Sequence, residues 1–168
     1  MIREIEGDIL LSRAQVIAHG IAPHDHFDTG LALALRERWP SMVRDYRHAI
    51  HSRPLEPGEI WAWSGVDADG STRGIVNLLT QGMLHGGPAG KPGKATLENV
   101  GRALKALARY VREERIRSVA LPRLATGVGG LAWSDVKPLV QQYLGDLDVP
   151  VLVYEVYRAG VQGDEQLG

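Results

Sequence analysis

The chain has 168 residues, of which 44% are hydrophobic and 23% charged, and its formal net charge is −1. This composition is typical of one globular domain with its own core, and it excludes a strong overall field that would attract nucleic acid or membranes. The absence of cysteine excludes disulfides, a thiolate nucleophile and thiolate metal ligands. No signal peptide or membrane-spanning apolar run is visible, so we expect a cytoplasmic protein.

The first third of the chain is predicted to contain two strands followed by helix. Apolar patterning predicts strands over residues 2–6 and 15–21, with a polar loop over residues 23–30 after the second strand. Strong helix formers predict a helix over residues 31–39, and Pro40 interrupts it before a further helical segment.

The middle of the chain is predicted to contain a hairpin, a loop and a long helix. Strands over residues 60–64 and 73–80 flank an Asp-Gly turn. Residues 81–95 contain five glycines and two prolines, which predicts a loop. Thr96 is placed to cap a helix whose apolar residues recur at spacings of three and four.

The last third of the chain is predicted to contain two strands on either side of a helix that Ser134 caps. The strands cover residues 117–121 and 149–157, and we expect a single domain over residues 1–158 with a flexible, frayed tail over 159–168. Alternating strands and helices predict an α/β fold, a mixed sheet of about six strands with helices on both faces. In such sheets, ligands bind the loops beyond the carboxyl ends of strands.

The most informative segment is the glycine-rich turn within residues 118–133, between a strand and a helix. Gly127, Gly129 and Gly130 allow the backbone to approach a ligand closely, and free N–H groups there can face a phosphate. The turn lacks the Gly-Lys-Ser/Thr ending of a P-loop and the spacing of a dinucleotide fingerprint. A tight turn without a ligand is the alternative interpretation.

Polar residues collect in the other loops at strand ends. Asp8 follows the first strand, where it can cap a turn or read the amine and ring nitrogen of adenine. The loop containing His24, Asp25, His26 and Asp28 is either a solvated loop or a ribose-contacting loop that carries an acid or base. Nothing in the sequence completes a metal site there, and no metal or cofactor is required. Gln81, His85, Lys91 and Lys94 follow the hairpin, and both lysines are interpreted as solvated.

Five segments in order resemble the macrodomain family. They are residues 7–10 (GDIL), 18–35 (AHGIAPHDHFDTGLALAL), 75–81 (IVNLLTQ), 94–107 (KATLENVGRALKAL) and 118–133 (SVALPRLATGVGGLAW). The A-H-x-I, K-x-T-x-E-N and P-R-x-x-x-G patterns resemble the branch of terminal ADP-ribose protein glycohydrolase and the antitoxin that removes ADP-ribose from DNA.

The resemblance implies a three-layer α/β/α sandwich and a cleft for ADP-ribose. By position, Asp8 and Ile9 contact the adenine. Two short stretches contact the distal ribose and the pyrophosphate. The first is His19, Gly20 and Ile21, and the second is Thr29, Gly30 and Leu31. The remaining implied ligand-binding residues are Thr80, Ala125, Thr126, Gly127, Val128, Gly129 and Gly130, and the turn from Thr126 to Gly130 wraps the diphosphate.

The chain departs from that branch at two catalytic positions. In the best-known member of that branch, a lysine after the strand matching IVNLLT attacks the anomeric carbon, and an aspartate in the glycine turn assists it. Here these positions are Gln81 and Gly129, and neither can do that chemistry.

Two functions therefore remain open from the sequence. The first is an ADP-ribosyl hydrolase that activates water, with Asp28 and Gln81 as the catalytic candidates. The second is a non-catalytic reader of ADP-ribose. The expected partners are ADP-ribose and ADP-ribosylated protein or DNA, with no membrane, and the chain is expected to be a monomer.

Overall fold

The structure, a computed structural model, describes residues 1–83 and 92–167. Strands and helices alternate along the chain. The strands are β1 (Ile2–Gly7), β2 (Val16–Ile21), β3 (Ile60–Val66), β4 (Thr72–Leu79), β5 (Gln81–Met83), β6 (Pro92–Ala95), β7 (Val119–Pro122) and β8 (Val151–Tyr157). The helices are α1 (Gly30–Arg38), α2 (Pro40–Ser52), α3 (Leu97–Glu113) and α4 (Trp133–Leu144), and Ile9–Leu11 forms a short 3-10 helix.

Six strands form one mixed sheet in the order β1-β8-β7-β2-β4-β3. All neighbouring pairs are parallel except β3 and β4, which are antiparallel and joined by the predicted Asp-Gly turn. The sheet confirms the predicted α/β class. Because five of the strands are parallel, their carboxyl ends lie at one edge of the sheet, and the loops that follow them meet there.

Helices cover both faces of this sheet and make three layers. Val76 and Leu78 of β4 belong to the core under α3 and α4, whereas Ile75 and Leu79 belong to the core under α1 and α2. Successive strand residues point to opposite faces, so β4 buries apolar side chains on both sides. This two-sided burial explains why its sequence is a continuous apolar run. Each such side chain contributes about 1.5–3 kcal/mol.

The two helix caps predicted from the sequence have different outcomes. Thr96 caps α3, because its Oγ1 accepts a hydrogen bond from the Asn99 N–H at 3.1 Å. Ser134 does not cap α4, which begins one residue earlier and has Ala132 at its cap position, without a side-chain bond. No helix in the described ranges is long and apolar enough to cross a membrane. The cytoplasmic location stays a prediction.

The predicted loop over residues 81–95 is wrong in part, because β5 and β6 pair as a small antiparallel sheet. The high glycine and proline content of the segment concealed these short strands. A tertiary contact supports the pairing, since the N–H of Ala95 donates to the Gly129 carbonyl at 3.0 Å. His85 and Lys91, which the sequence analysis considered, lie outside the described residues.

The C-terminal segment differs from the frayed tail that its polar sequence suggested. Glu165 is only 5% exposed and accepts hydrogen bonds from Ser12 Oγ at 2.6 Å, the Arg13 N–H at 2.8 Å and the Tyr154 hydroxyl at 2.7 Å. The Gly160 N–H donates to Asp8 at 2.9 Å. Long-range polar contacts of this kind are invisible in a local sequence pattern. They hold the segment against the loop after β1.

Candidate functional site

A cleft of about 340 Å³ lies at the carboxyl ends of β2 and β7. It is bounded by the loop before α1, the start of β5 and the glycine turn after β7. Eleven of the predicted site residues line it, namely His19, Gly20, Asp28, Thr29, Gly30, Leu31, Gln81, Ala125, Gly127, Val128 and Gly129. The fold therefore brings together three loops that are far apart in sequence.

The glycine turn forms one wall of the cleft and presents unpaired donors. Within the described part of the chain, no acceptor binds the N–H groups of Thr126, Gly127, Val128 or Gly129. The turn is closed instead by the Leu131 N–H, which donates to the Ala125 carbonyl at 3.0 Å. Successive unpaired N–H groups create a positive concavity that can hold an anion.

Gly129 is required by the backbone of this turn. A Cβ at this position would lie 2.6 Å from the Ala125 carbonyl oxygen, much closer than van der Waals contact. At Gly127 a Cβ would meet no atom within 4 Å. The turn in this conformation thus excludes any side chain at position 129.

The opposite wall is formed by the N-terminus of α1. Thr29 occupies the cap position without a side-chain hydrogen bond, and Thr29, Gly30, Leu31 and Ala32 all line the cleft. The first N–H groups of a helix have no acceptor within the helix, and the helix dipole makes this end positive. Two positive backbone regions therefore line the same cleft.

The loop before α1 is held by residues whose role the sequence analysis missed. Both Asp25 carboxylate oxygens accept backbone N–H groups, from Ala22 at 3.0 Å and from Phe27 at 2.9 Å. Phe27 is fully buried and packs edge-on against Tyr46, with ring centres 5.5 Å apart. Asp28 is the exposed carboxylate of this loop and lines the cleft. The signal for Asp25 was the tendency of Asp to bond its own loop backbone.

His19 enters the cleft floor as a neutral imidazole. Its ring is only 2% exposed, and this burial lowers the pKa of His19 below the ordinary value of 6.5. Nε2 lies 2.7 Å from Asn77 Oδ1, and the Asn77 amide nitrogen donates to the Trp61 carbonyl at 3.3 Å. Because Asn77 Oδ1 only accepts, Nε2 carries the proton and Nδ1 is an acceptor.

Gln81 and Thr80 follow β4 but have different surroundings. Gln81 lines the cleft, and its Nε2 donates to the Gly93 carbonyl of β6 at 3.0 Å. Thr80 is fully buried and lies under Gly20, where a Cβ would be 2.6 Å from Thr80 Oγ1. Thr80 Oγ1 has no hydrogen-bond partner among the described residues. Gln81 is therefore the member of this pair that a ligand can reach.

Asp8 has the capping role that the sequence analysis gave as one of its two interpretations. Oδ1 accepts the Leu10 N–H at 3.0 Å at the start of the 3-10 helix, and Oδ2 accepts the Gly160 N–H. Asp8 does not line the 340 Å³ cleft. The same is true of five further residues of the predicted site, which are Ile9, Ile21, Thr80, Thr126 and Gly130. Ile9 and Ile21 are core residues.

Two cations lie beside the cleft: Arg123, which was not predicted as a site residue, and Lys94, which was interpreted as solvated and is exposed. Arg123 lines it directly after β7 and is exposed. Lys94 lies against the glycine turn, because a Cβ at Gly130 would be 3.2 Å from its Nζ. The position of Arg123 directly after a predicted strand could have indicated that it lies at the cleft. The approach of Lys94 to the glycine turn depends instead on the pairing of β5 with β6. Within residues 1–83 and 92–167, no three His, Asp or Glu side chains group closely enough to hold a metal ion.

Comparisons with known proteins identify relatives of this chain. A family model described as Macro domain matches residues 21–140. The chain is similar to a DNA ADP-ribosyl transferase-DNA ADP-ribosyl glycohydrolase fusion protein of Thermosipho africanus, 28% identical over 89% of this chain and 40% of that protein. It is also similar to a DNA ADP-ribosyl glycohydrolase of Thermus aquaticus, 29% identical over 92% of this chain and 41% of that protein.

Among solved structures, the macrodomain of Thermus aquaticus DarG is similar in fold and sequence. It has a TM-score of 0.77 and 30% identity, with 92% of this chain and 98% of that chain covered. The chain spans about 40% of the length of the two curated relatives.

Proposed function

Because the chain belongs to the Macro domain family, we propose that its cleft binds ADP-ribose and that the protein hydrolyses ADP-ribosyl groups from modified DNA or protein. The observation that carries this proposal is that two positive backbone regions, the glycine turn and the N-terminus of α1, line one cleft. Two adjacent anion sites match the two charges of a diphosphate. The similar relatives are named ADP-ribosyl glycohydrolases, which agrees with the proposal.

In this proposal the glycine turn and α1 hold the diphosphate from both sides. The unpaired N–H groups of residues 127–129 donate to one phosphate, and the N-terminus of α1 donates to the other. Asp8 accepts a hydrogen bond from the adenine amine. Each carboxylate oxygen can accept two hydrogen bonds, and the bonds from the Leu10 and Gly160 N–H groups use only one on each oxygen. His19 Nδ1 accepts a hydrogen bond from a ribose hydroxyl.

The proposed reaction is hydrolysis at the anomeric carbon of the distal ribose. A water molecule attacks that carbon while the bond to the modified target breaks, and the transition state resembles an oxocarbenium ion. Asp28 accepts the proton of the water, the departing group takes up a proton from the solvent, and Asp28 later returns its proton to the solvent. The negative charge of Asp28 also stabilises the positive charge that develops on the ribose. Gln81 orients the ribose through its amide.

This route avoids a lysine adduct. The position at which relatives of the resembling branch have a lysine is Gln81, whose amide nitrogen is engaged with Gly93. The position of the assisting aspartate is Gly129, where the close Ala125 carbonyl leaves no room for a side chain. A water-based mechanism needs neither group.

A release assay tests the proposal. The protein is incubated with an ADP-ribosylated oligonucleotide and, separately, with a peptide ADP-ribosylated on glutamate, and free ADP-ribose is measured. We expect several turnovers on at least one substrate. Intact label on both after prolonged incubation with stoichiometric protein rejects the hydrolase.

Asp28→Asn tests the assignment of the base. It should lower turnover about 100-fold, because general base catalysis contributes at least that factor. ADP-ribose affinity should change less than threefold, since an amide keeps the size of the carboxylate. Glu37→Gln, an exposed carboxylate of α1, is the matched control. Equal turnover in both variants would remove Asp28 from the mechanism.

A reader without catalysis is the second candidate, and the replacement of both catalytic groups by Gln81 and Gly129 favours it. A reader should bind ADP-ribose by calorimetry and release none. The release assay therefore separates the two functions, since any multiple turnover excludes a pure reader.

A further inference from the structure

An open groove of about 630 Å³ runs between α3 and α4, outside the proposed ADP-ribose cleft. Four of its lining side chains are cationic and come from α3, namely Arg102, Lys105, Arg109 and Arg112. All four residues are exposed. The α4 side of the groove contributes Tyr143 and Gln142, and Asp146 follows that helix. We call this surface the α3–α4 groove.

The four cations form one row along the helix. They are separated by steps of three, four and three residues, which places them on one stripe of a helix with 3.6 residues per turn. At 1.5 Å per residue, the row extends about 15 Å from Arg102 to Arg112. The neighbouring stripe, with Leu104 and Leu107, is buried against the sheet. The amphipathic pattern thus holds the cations at the solvent side.

The row is poorly neutralised by the protein itself. Arg109 pairs with Glu113 at 2.8 Å, but both side chains are more than half exposed. Among the described residues, Arg102, Lys105 and Arg112 form no ion pair within 4.0 Å. Like charges three and four residues apart destabilise a helix. An external anion bound along the row would relieve this repulsion.

The groove begins close to the proposed cleft. Arg102 packs over Gly58, where a Cβ would lie 3.0 Å from its Cζ. The Gly58 N–H donates to the carbonyl of Leu79 at 2.7 Å, and Leu79 is the last residue of β4. Gln81, in the cleft, follows two residues later. The groove and the cleft thus start from the same end of one strand.

We propose that the α3–α4 groove binds the sugar-phosphate backbone of a nucleic acid strand. A nucleic acid carries one negative charge per nucleotide, which suits a row of evenly spaced cations. One guanidinium group can donate two parallel hydrogen bonds to the oxygens of one phosphate. The ring of Tyr143 can stack on a base. The net charge of −1 means that the attraction comes from this surface and not from the whole molecule. This binding goes beyond the proposed hydrolysis, because it needs no ADP-ribose.

The test is fluorescence anisotropy with a labelled, unmodified 12-nucleotide DNA single strand and the full chain, between 50 and 200 mM salt. Four phosphate contacts should give a slope of log K against log salt of about −2.8, or −0.7 for each contact. Lys105→Ala/Arg112→Ala should reduce the slope by about 1.4, which corresponds to binding about 60-fold weaker at 50 mM salt if affinity at 1 M salt is unchanged.

The matched control is Arg44→Ala/Arg47→Ala. These two exposed cations lie on α2, on the other face of the sheet, and their removal changes the net charge by the same amount. Binding within twofold of the original chain is expected. Circular dichroism verifies that both double variants remain folded.

Three results would overturn the proposal: no binding of the original chain at 50 mM salt, equal weakening in both double variants, or equally strong competition by polyglutamate, which would make the groove a site for acidic protein. The assay uses unmodified DNA, so its result is independent of ADP-ribose release. A failed release assay with intact DNA binding would reject only the hydrolase.

Discussion

Individual residues in the cleft are constrained by contacts that act over a few ångströms. Gly129 faces the Ala125 carbonyl so closely that a Cβ would lie 2.6 Å from it, whereas Gly127, two residues before, has open space. Two glycines of one turn thus have different roles. The lack of a side chain at Gly129 lets the backbone of this residue lie close to the Ala125 carbonyl, and the lack of one at Gly127 leaves room for a ligand.

Gly129→Ala should destabilise the protein more than Gly127→Ala. We expect Gly129→Ala to lower the free energy of unfolding by about 1–3 kcal/mol, because the added methyl group overlaps a fixed carbonyl. Gly127→Ala should stay within about 0.5 kcal/mol. Urea unfolding of both variants measures the difference. Equal effects would show that the turn adapts to a side chain at position 129.

His19 should make stability depend on pH. Burial lowers its pKa in the folded chain below 6.5, so between that lowered pKa and 6.5 the unfolded chain binds a proton that the folded chain does not. The stability contributed by neutral His19 is therefore present above pH 6.5 and is lost as the pH falls below it. His19→Gln should reduce the loss of unfolding free energy between pH 7.5 and pH 5.5.

His48→Gln, an exposed histidine on α2, is the control for this experiment. Carboxylates also titrate in part over this range, but they do so equally in all three proteins. An unchanged pH dependence in His19→Gln would contradict a lowered pKa at His19.

At the scale of elements, the C-terminal segment supports the loop after β1. Glu165 accepts hydrogen bonds from Ser12, the Arg13 backbone and Tyr154. Burial and the bond to Glu165 raise the pKa of Tyr154, so its hydroxyl remains a donor through the neutral range. The segment also bonds Asp8 through the Gly160 N–H. A buried carboxylate thus connects β8 and the C-terminal segment to the loop at Ser12 and Arg13, which is distant in sequence.

Glu165→Ala should lower the free energy of unfolding by about 3 kcal/mol. The change removes a charged acceptor and leaves buried donors without partners, which is costly. Asp164→Ala, an exposed neighbour, should have little effect. Thermal unfolding of both variants compares them, and limited proteolysis reports release of the segment. Similar melting temperatures would indicate that the segment contributes no stability.

At the scale of the whole molecule, the cleft joins elements from both halves of the chain. Its walls come from α1, β5 and the turn after β7; α1 packs in the core under α1 and α2, and the turn packs through Leu124 in the core under α3 and α4. A ligand held between these walls therefore stabilises the entire domain and not a single loop.

ADP-ribose at 100 times its dissociation constant should raise the free energy of unfolding by about 2.7 kcal/mol. AMP at the same concentration should have a smaller effect, because it lacks the second phosphate and the distal ribose. Urea unfolding with each ligand measures the difference. No stabilisation by ADP-ribose would contradict binding in the cleft.

Much of the architecture follows from local patterns in the sequence. The continuous apolar run of β4 reflects burial on two faces, and the apolar stripe of α3 reflects burial on one face. Burial determines the spacing of apolar residues in both elements. The glycine turn was recognisable because glycine permits a close approach such as that of Gly129 to the Ala125 carbonyl. The resemblance to macrodomains added the ADP-ribose hypothesis and placed Asp28 and Gln81 at the cleft.

The sequence by itself determined the α/β class, the central strands and the loops at their carboxyl ends, since these depend on periodicity and on residues near in sequence. Only the tertiary structure decided that Asp25 and Phe27 hold the loop before α1, that Glu165 docks the C-terminal segment, and that Lys94 reaches Gly130. These contacts join segments that a local pattern does not relate, and their free energy depends on which loops the sheet brings together.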